Sequence, residues 1–169
     1  MSEERIDKLE KALSGLRTRL GELDRSRRDA HHALLYAVFA CTVAGVLLAL
    51  STATWRTARD SDDFLADATT LWGMAPEGWQ AAWTLIGVLT VAIGTIAVFL
   101  ADVAGRATHV VFAVFCALTI VGILLICQVE PAGWFDPEDG HAGPGRWLTL
   151  LATFVLAVVH TARAGEVRR

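Results

Sequence analysis

Cysteine is scarce in this chain and placed where it cannot crosslink loops. Of 169 residues only Cys41, Cys116 and Cys127 are cysteine, and each lies inside an apolar run. The polar segments between those runs hold none, which excludes a loop disulfide, and no cysteine cluster has the spacing of a structural zinc site. The expected role of the three is that of small packing residues. Catalytic signatures are missing as well. The chain has no Gly-rich phosphate loop, nucleophile elbow, His-Glu-x-x-His motif or paired catalytic carboxylate, so an enzyme is not expected. No apolar run carries a charged residue near its middle, which argues against a proton relay, a voltage sensor or ion-coupled transport through one chain. A cleavable signal peptide is not expected either, because about 30 polar, helix-forming residues precede the first apolar run.

What the chain does have is apolar length. Hydrophobic residues make up 54% of it, and they gather into four runs: Ala33 to Ala53, Ala81 to Ala101, Ala107 to Cys127, and Trp147 to Ala162. A helix rises roughly 1.5 Å per residue and needs about 20 residues to cross a hydrocarbon core. The first three runs meet that length, whereas the fourth falls short at about 16 residues and would have to stand nearly upright or let its ends snorkel. The expected fold is an all-α integral membrane protein, a bundle of four transmembrane helices preceded by an N-terminal cytoplasmic amphipathic or coiled-coil helix. Its domains are 1–30 for that helix, 31–165 for the membrane bundle with outer loops at 54–80 and 128–146, and 166–169 for a basic tail.

Orientation follows from the cations, which are retained on the cytoplasmic side. Arg5, Lys8, Lys11, Arg17, Arg19, Arg25, Arg27 and Arg28 precede the first run, and Arg163, Arg168 and Arg169 follow the last. The loop at 54–80 offers only Arg56 and Arg59 against five acidic residues, and the loop at 128–146 only Arg146 against four. A multi-pass protein of the cell membrane with both termini cytoplasmic is expected. Trp55, Trp72, Trp79, Trp83, Trp134 and Trp147 all fall at or between the outer span ends, as an interfacial aromatic belt would place them.

Ile6, Leu9, Leu13, Leu16, Leu20 and Leu23 alternate spacings of three and four, the a/d seam of a coiled coil over nearly three heptads. In a parallel dimer this register sets Arg5 against Glu10 and Arg19 against Asp24 across the two helices, each pair contributing a few tenths of a kcal/mol. Gly15 and Gly21 lie off the seam and each costs about 1 kcal/mol of helix propensity, so membrane tethering is needed to raise the effective concentration. A homo-oligomer is the preferred reading, and one amphipathic helix folded against the membrane surface or against the protein's own loops is its rival. Arg25, Arg27 and Arg28 would sit among anionic lipid headgroups, each gaining up to about 1 kcal/mol.

Small residues suggest how the spans pack, since they let helix backbones approach in lipid. Ala33, Ala37, Cys41, Gly45, Ala49 and Ala53 recur every fourth residue in the first span, and Thr149, Thr153, Ala157, Thr161 and Gly165 do so in the fourth. The second span offers Gly87, Thr90 and Gly94, and the third Ala113, Ala117 and Gly122.

Two groups of side chains are candidates for a metal. His109 and His160, with His31 and His32, fall near the cytoplasmic span ends, where converging imidazoles would bind a metal or haem; separate interfacial histidines are the favoured expectation. Asp136, Asp139 and His141, with Glu138, lie in a Gly- and Pro-rich turn that lacks the calcium-loop pattern, so a solvated acidic turn is expected there. In the larger loop, Ser61 or Asp62 is expected to cap a short helix with Phe64, Leu65, Ala68 and Leu71 on its apolar side. No cofactor is assigned.

Four spans, cytoplasmic termini, and Trp55 followed by Leu71 and Trp72 in the first outer loop resemble the claudin-like architecture. The resemblance covers that loop and the topology; the loop's paired cysteines are missing and the N-terminal coil is foreign to it. The expected function is a non-enzymatic membrane scaffold or accessory subunit, with lipids and a second copy as partners and with the coil and outer loops as surfaces for another protein. An oligomeric channel or transport component is the alternative, and haem or metal binding the remote one. Nucleic acid is not an expected partner.

Overall fold

The computed structural model describes residues 2–58, 68–101, 105–126 and 140–166. The chain divides into two compact units, Met1–Val38 and Phe39–Arg169. Helix α1, Ser2–Leu50, contributes residues to both.

In the first unit the described side chains are almost all exposed, among them Leu13, Leu16, Leu20 and Leu23 of the seam. The backbone at Ile6 and Leu9 is helical, as the heptad spacing predicts. Arg25, Arg27 and Arg28 are exposed, and Arg28 forms an i,i+4 ion pair with Asp24 on the helix surface. Ser14 and Thr18 donate their hydroxyls back to Lys11 O and Ser14 O, which satisfies these polar groups within the helix.

The second unit is built on three long helices: α3 (Trp79–Ala101), α4 (Arg106–Ile126) and α5 (Pro144–Glu166). With α1 they make four helices long and apolar enough to cross a membrane. The last of them corrects the sequence expectation. The fourth apolar run is short, but α5 starts three residues earlier, at Pro144, and ends at Glu166, giving 23 residues and a rise of about 34 Å. Proline suits the first turn of a helix, where its missing N–H removes no bond, and the polar ends extend the helix past the window that hydropathy alone reveals.

Glycine and threonine set the packing of α3 against α4. A Cβ at Gly87 would come within 2.7 Å of Thr119 Oγ1, one at Gly122 within 2.9 Å of Thr84 Oγ1, and one at Gly94 would strike the Phe112 ring. A step from 84 to 87 to 94 along α3 is matched by a step from 122 to 119 to 112 along α4, so one antiparallel register satisfies all three contacts. The threonines are tolerated in an apolar core because each hydroxyl bonds a carbonyl of its own helix: Thr84 to Gln80 O, Thr119 to Phe115 O, Thr149 to Gly145 O and Thr153 to Thr149 O.

The four-residue stripes do not coincide with the buried faces. In α1 the buried line is Ala40, Ala44, Leu47 and then Ser51, while Gly45 and Ala49 are exposed and Ala37 and Cys41 half-buried. In α5 Thr149 and Thr153 are buried, but the line continues through Leu156, His160 and Ala164, leaving Thr161 and Gly165 exposed. The reason is geometric. Four residues turn a helix by about 400°, so a strict spacing of four drifts about 40° at each step and leaves the face on which it began.

A three-stranded antiparallel sheet, ordered β2-β1-β3, caps one end of this unit and departs from the all-α expectation. Its strands are β1 (Thr54–Ala58), β2 (Ala68–Thr70) and β3 (Gly140–Ala142). The ladder of β1 with β2 is irregular between Thr54 and Arg56, which sets Trp55 out of register. Trp55 is buried and donates its Nε1–H to Leu50 O at 3.0 Å, so this tryptophan is a core residue and not part of an interfacial belt. Trp72 donates to Ser51 Oγ at 3.1 Å, while Trp79, Trp83 and Trp147 are exposed at the sheet end; Trp134 lies outside the described residues.

The expected helix in the larger loop is also corrected. Ala68 lies in strand β2, and the helix is the single turn α2 (Leu71–Met74), capped by Thr70, whose Oγ1 accepts from Gly73 N at 3.2 Å. Ser61, Asp62, Phe64 and Leu65 lie outside the described residues.

Candidate functional site

The end of the second unit opposite the sheet holds three buried polar groups that meet one another. Three helices each contribute one: Thr95 from the last two turns of α3, His109 from the first turn of α4, and His160 from α5 two turns before its end. All three are buried, Thr95 and His160 completely. Gly105 O accepts from Thr108 N at 3.0 Å and from His109 N at 3.4 Å, which starts α4 so that His109 enters the bundle on the first turn.

His109 Nδ1 and His160 Nδ1 stand 3.0 Å apart, and His160 Nε2 stands 3.1 Å from Thr95 Oγ1. The result is a hydrogen-bonded chain across three helices. Aromatic rings enclose it. Phe112 stacks on His160 with centroids 5.3 Å apart and planes at 22°, and Phe99 lies 5.5 Å from the His109 ring and 5.7 Å from the His160 ring. Phe112 is the same ring that Gly94 makes room for, so the α3–α4 register and the histidine pair are parts of one packing arrangement.

Proton counting restricts the pair. A neutral imidazole carries one N–H, and an Nδ1-to-Nδ1 bond needs one donor and one acceptor. If His109 Nδ1–H donates, His160 carries its proton on Nε2 and donates to Thr95. If His160 Nδ1–H donates, its bare Nε2 accepts from the Thr95 hydroxyl. Both arrangements satisfy every nitrogen between the rings, and passing from the first to the second moves a proton across the Nδ1–Nδ1 bond, gains one at His109 Nε2 and gives one up at His160 Nε2.

This geometry corrects the expectation of separate interfacial histidines at His109 and His160. Each Nδ1 is engaged by the other ring, and no group of three or more His, Cys, Asp or Glu that could hold an ion occurs among the described residues. His31 and His32 are exposed neighbours on α1 with ring centroids 6.4 Å apart. His141 belongs to strand β3, paired with Thr57, while Asp136, Glu138 and Asp139 lie outside the described residues, as does Cys127. Cys41 and Cys116 are free thiols, the latter buried.

Thr95 and the two phenylalanines carry no sequence motif. The usable signal was topological: antiparallel α4 and α5 bring His109 and His160 to the same end, and Thr95 and Phe99 then share a face of α3 one turn apart.

No family model, no curated protein and no solved structure matches this chain.

Proposed function

We infer that the protein is a non-enzymatic, multi-pass protein of the cell membrane, both termini cytoplasmic, that self-associates through the coil segment of α1 and serves as a scaffold or accessory subunit. The observation that carries this reading is the exposed seam. Leu13, Leu16, Leu20 and Leu23 are between 57% and 67% exposed on one line of a helix whose other faces are charged. A leucine side chain gains about 1.5–3 kcal/mol when fully buried, so four in register favour a partner that presents the same line.

A second copy in parallel does so, and it also brings Arg19 opposite Asp24. Asp24 is already engaged by Arg28 of its own helix, so the interhelical pair must compete for it. Apolar burial therefore drives association, and the charges select the register. Arg25, Arg27 and Arg28 follow directly and would rest among anionic headgroups.

The test is chemical crosslinking and native mass spectrometry of the full-length protein in mild detergent, comparing wild type with the Leu13→Lys/Leu16→Lys double variant. A wild-type oligomer that collapses to monomer in the variant is the expected result. A monomeric wild type, or an oligomer that the variant leaves unchanged, overturns the coil.

A further inference from the structure

The geometry points to His109 and His160 as a proton-binding site whose second protonation parts α4 from α5. The deduction starts from the nitrogens. In the closed arrangement the two rings and Thr95 leave one imidazole nitrogen without a proton and outside the shared bond: Nε2 of His109 in one tautomer, Nε2 of His160 in the other. One added proton is accepted there, and the Nδ1-to-Nδ1 bond survives as a charge-assisted bond. A further proton has only the acceptor Nδ1 left to bind. That would set N–H against N–H at the 3.0 Å separation of the closed pair and put two like charges in contact, so the rings must separate to accept it.

Little in the surroundings would offset a second charge. Among the described residues, α3 presents Thr95 and Phe99, α4 adds Phe112, and α5 adds Arg163, a cation paired with Glu166 at 2.9 Å. Arg106 opens α4 and is exposed, Cys116 is buried nearly three turns further along it, and residues 39–50 of α1 have Cys41 as their ionisable side chain. Asp102 lies outside the described residues. The separated state binds one proton more than the singly protonated closed pair and two more than the neutral one, so by linkage the closed contact weakens as pH falls and is retained as pH rises. His109 and His160 are 51 residues apart on α4 and α5, and parting them removes the polar tie between the two helices at this end.

Hydrogen–deuterium exchange of the full-length protein in lipid nanodiscs, from about pH 8 to about pH 5, reads this opening. After correction for intrinsic exchange, amides in the first two turns of α4 and the last two of α5 are expected to lose protection by about tenfold per pH unit or more over the acid part of the range, the slope of linkage to one or two protons. The middle of α3 should stay protected. His160→Phe, which keeps an aromatic ring and leaves His109 alone to bind a proton, is expected to flatten the slope. A flat wild-type profile overturns the proposal, and so does an equal slope in His160→Phe. Should that variant fail to fold, nitrogen NMR of the wild-type imidazoles decides: one Nδ1–H shared between the two rings near neutral pH supports the site, and two Nε2–H tautomers with no Nδ1–H overturn it.

Discussion

At the scale of single residues, glycine has opposite meanings at different positions in this bundle. At Gly94 an added Cβ would strike the Phe112 ring, which is itself stacked on His160. A Cβ at Gly45 meets nothing within 4 Å. Gly94→Val is therefore expected to destabilise the protein by about 1–3 kcal/mol through overpacking, whereas Gly45→Ala should be neutral or stabilising by up to about 1 kcal/mol through helix propensity. Thermal unfolding of both variants in the same detergent checks the contrast, and equal losses would contradict the assignment of packed and open faces. Gly87 and Gly94 were legible as close-approach sites from sequence because small residues in apolar helices have one common use. Gly45 and Ala49 were legible only as members of a pattern, and the pattern drifts off the buried face.

At the scale of elements, α1 is the helix on which the proposed self-association rests. Gly15 and Gly21 lower its helix propensity, and a Cβ at either would meet nothing within 4 Å. The double variant Gly15→Ala/Gly21→Ala should thus stiffen the coil by about 2 kcal/mol per chain without touching the leucine seam. The expected outcome is a tighter oligomer, seen as a lower dissociation concentration in detergent; a weaker one would mean that the glycines themselves form the contact. The heptad spacing and the beginnings of α3 and α4 could be read from sequence because each depends on residues only a few positions apart. The start of α5 could not, since Pro144, Gly145 and Arg146 are helical without being apolar. The strands were missed for a different reason. With three to five residues each, they show no usable alternation, and they exist because β1 finds partners before α2 and before α5.

For the whole molecule, the consequence that reaches furthest is topology. Four helices of spanning length and the excess of cations at both termini lead to the expectation that Ser2→Cys and Gly165→Cys, each introduced into a chain lacking its native cysteines, react with a membrane-impermeant maleimide only after the membrane is opened. A cysteine at Glu77 should react in intact cells. Labelling of either terminus from outside would refute the proposed orientation, and with it a cytoplasmic position for the histidine pair. The same experiment in alkali-washed membranes checks that the chain is integral.

Run length, cation placement and heptad spacing are local properties, so the sequence by itself determined that there are four long apolar runs, which ends are basic, and where leucines recur at heptad spacing. Chain meetings between distant positions carry no local trace. Only the tertiary structure decided that Trp55 turns inward to Leu50, that α3 and α4 share the register joining Gly94 to Phe112, and that His109 meets His160. The last depends on the antiparallel register of α4 and α5 and on the rotation of each helix about its axis. A rotation of one residue, about 100°, would have left both imidazoles apart at the membrane surface, where the composition alone had placed them.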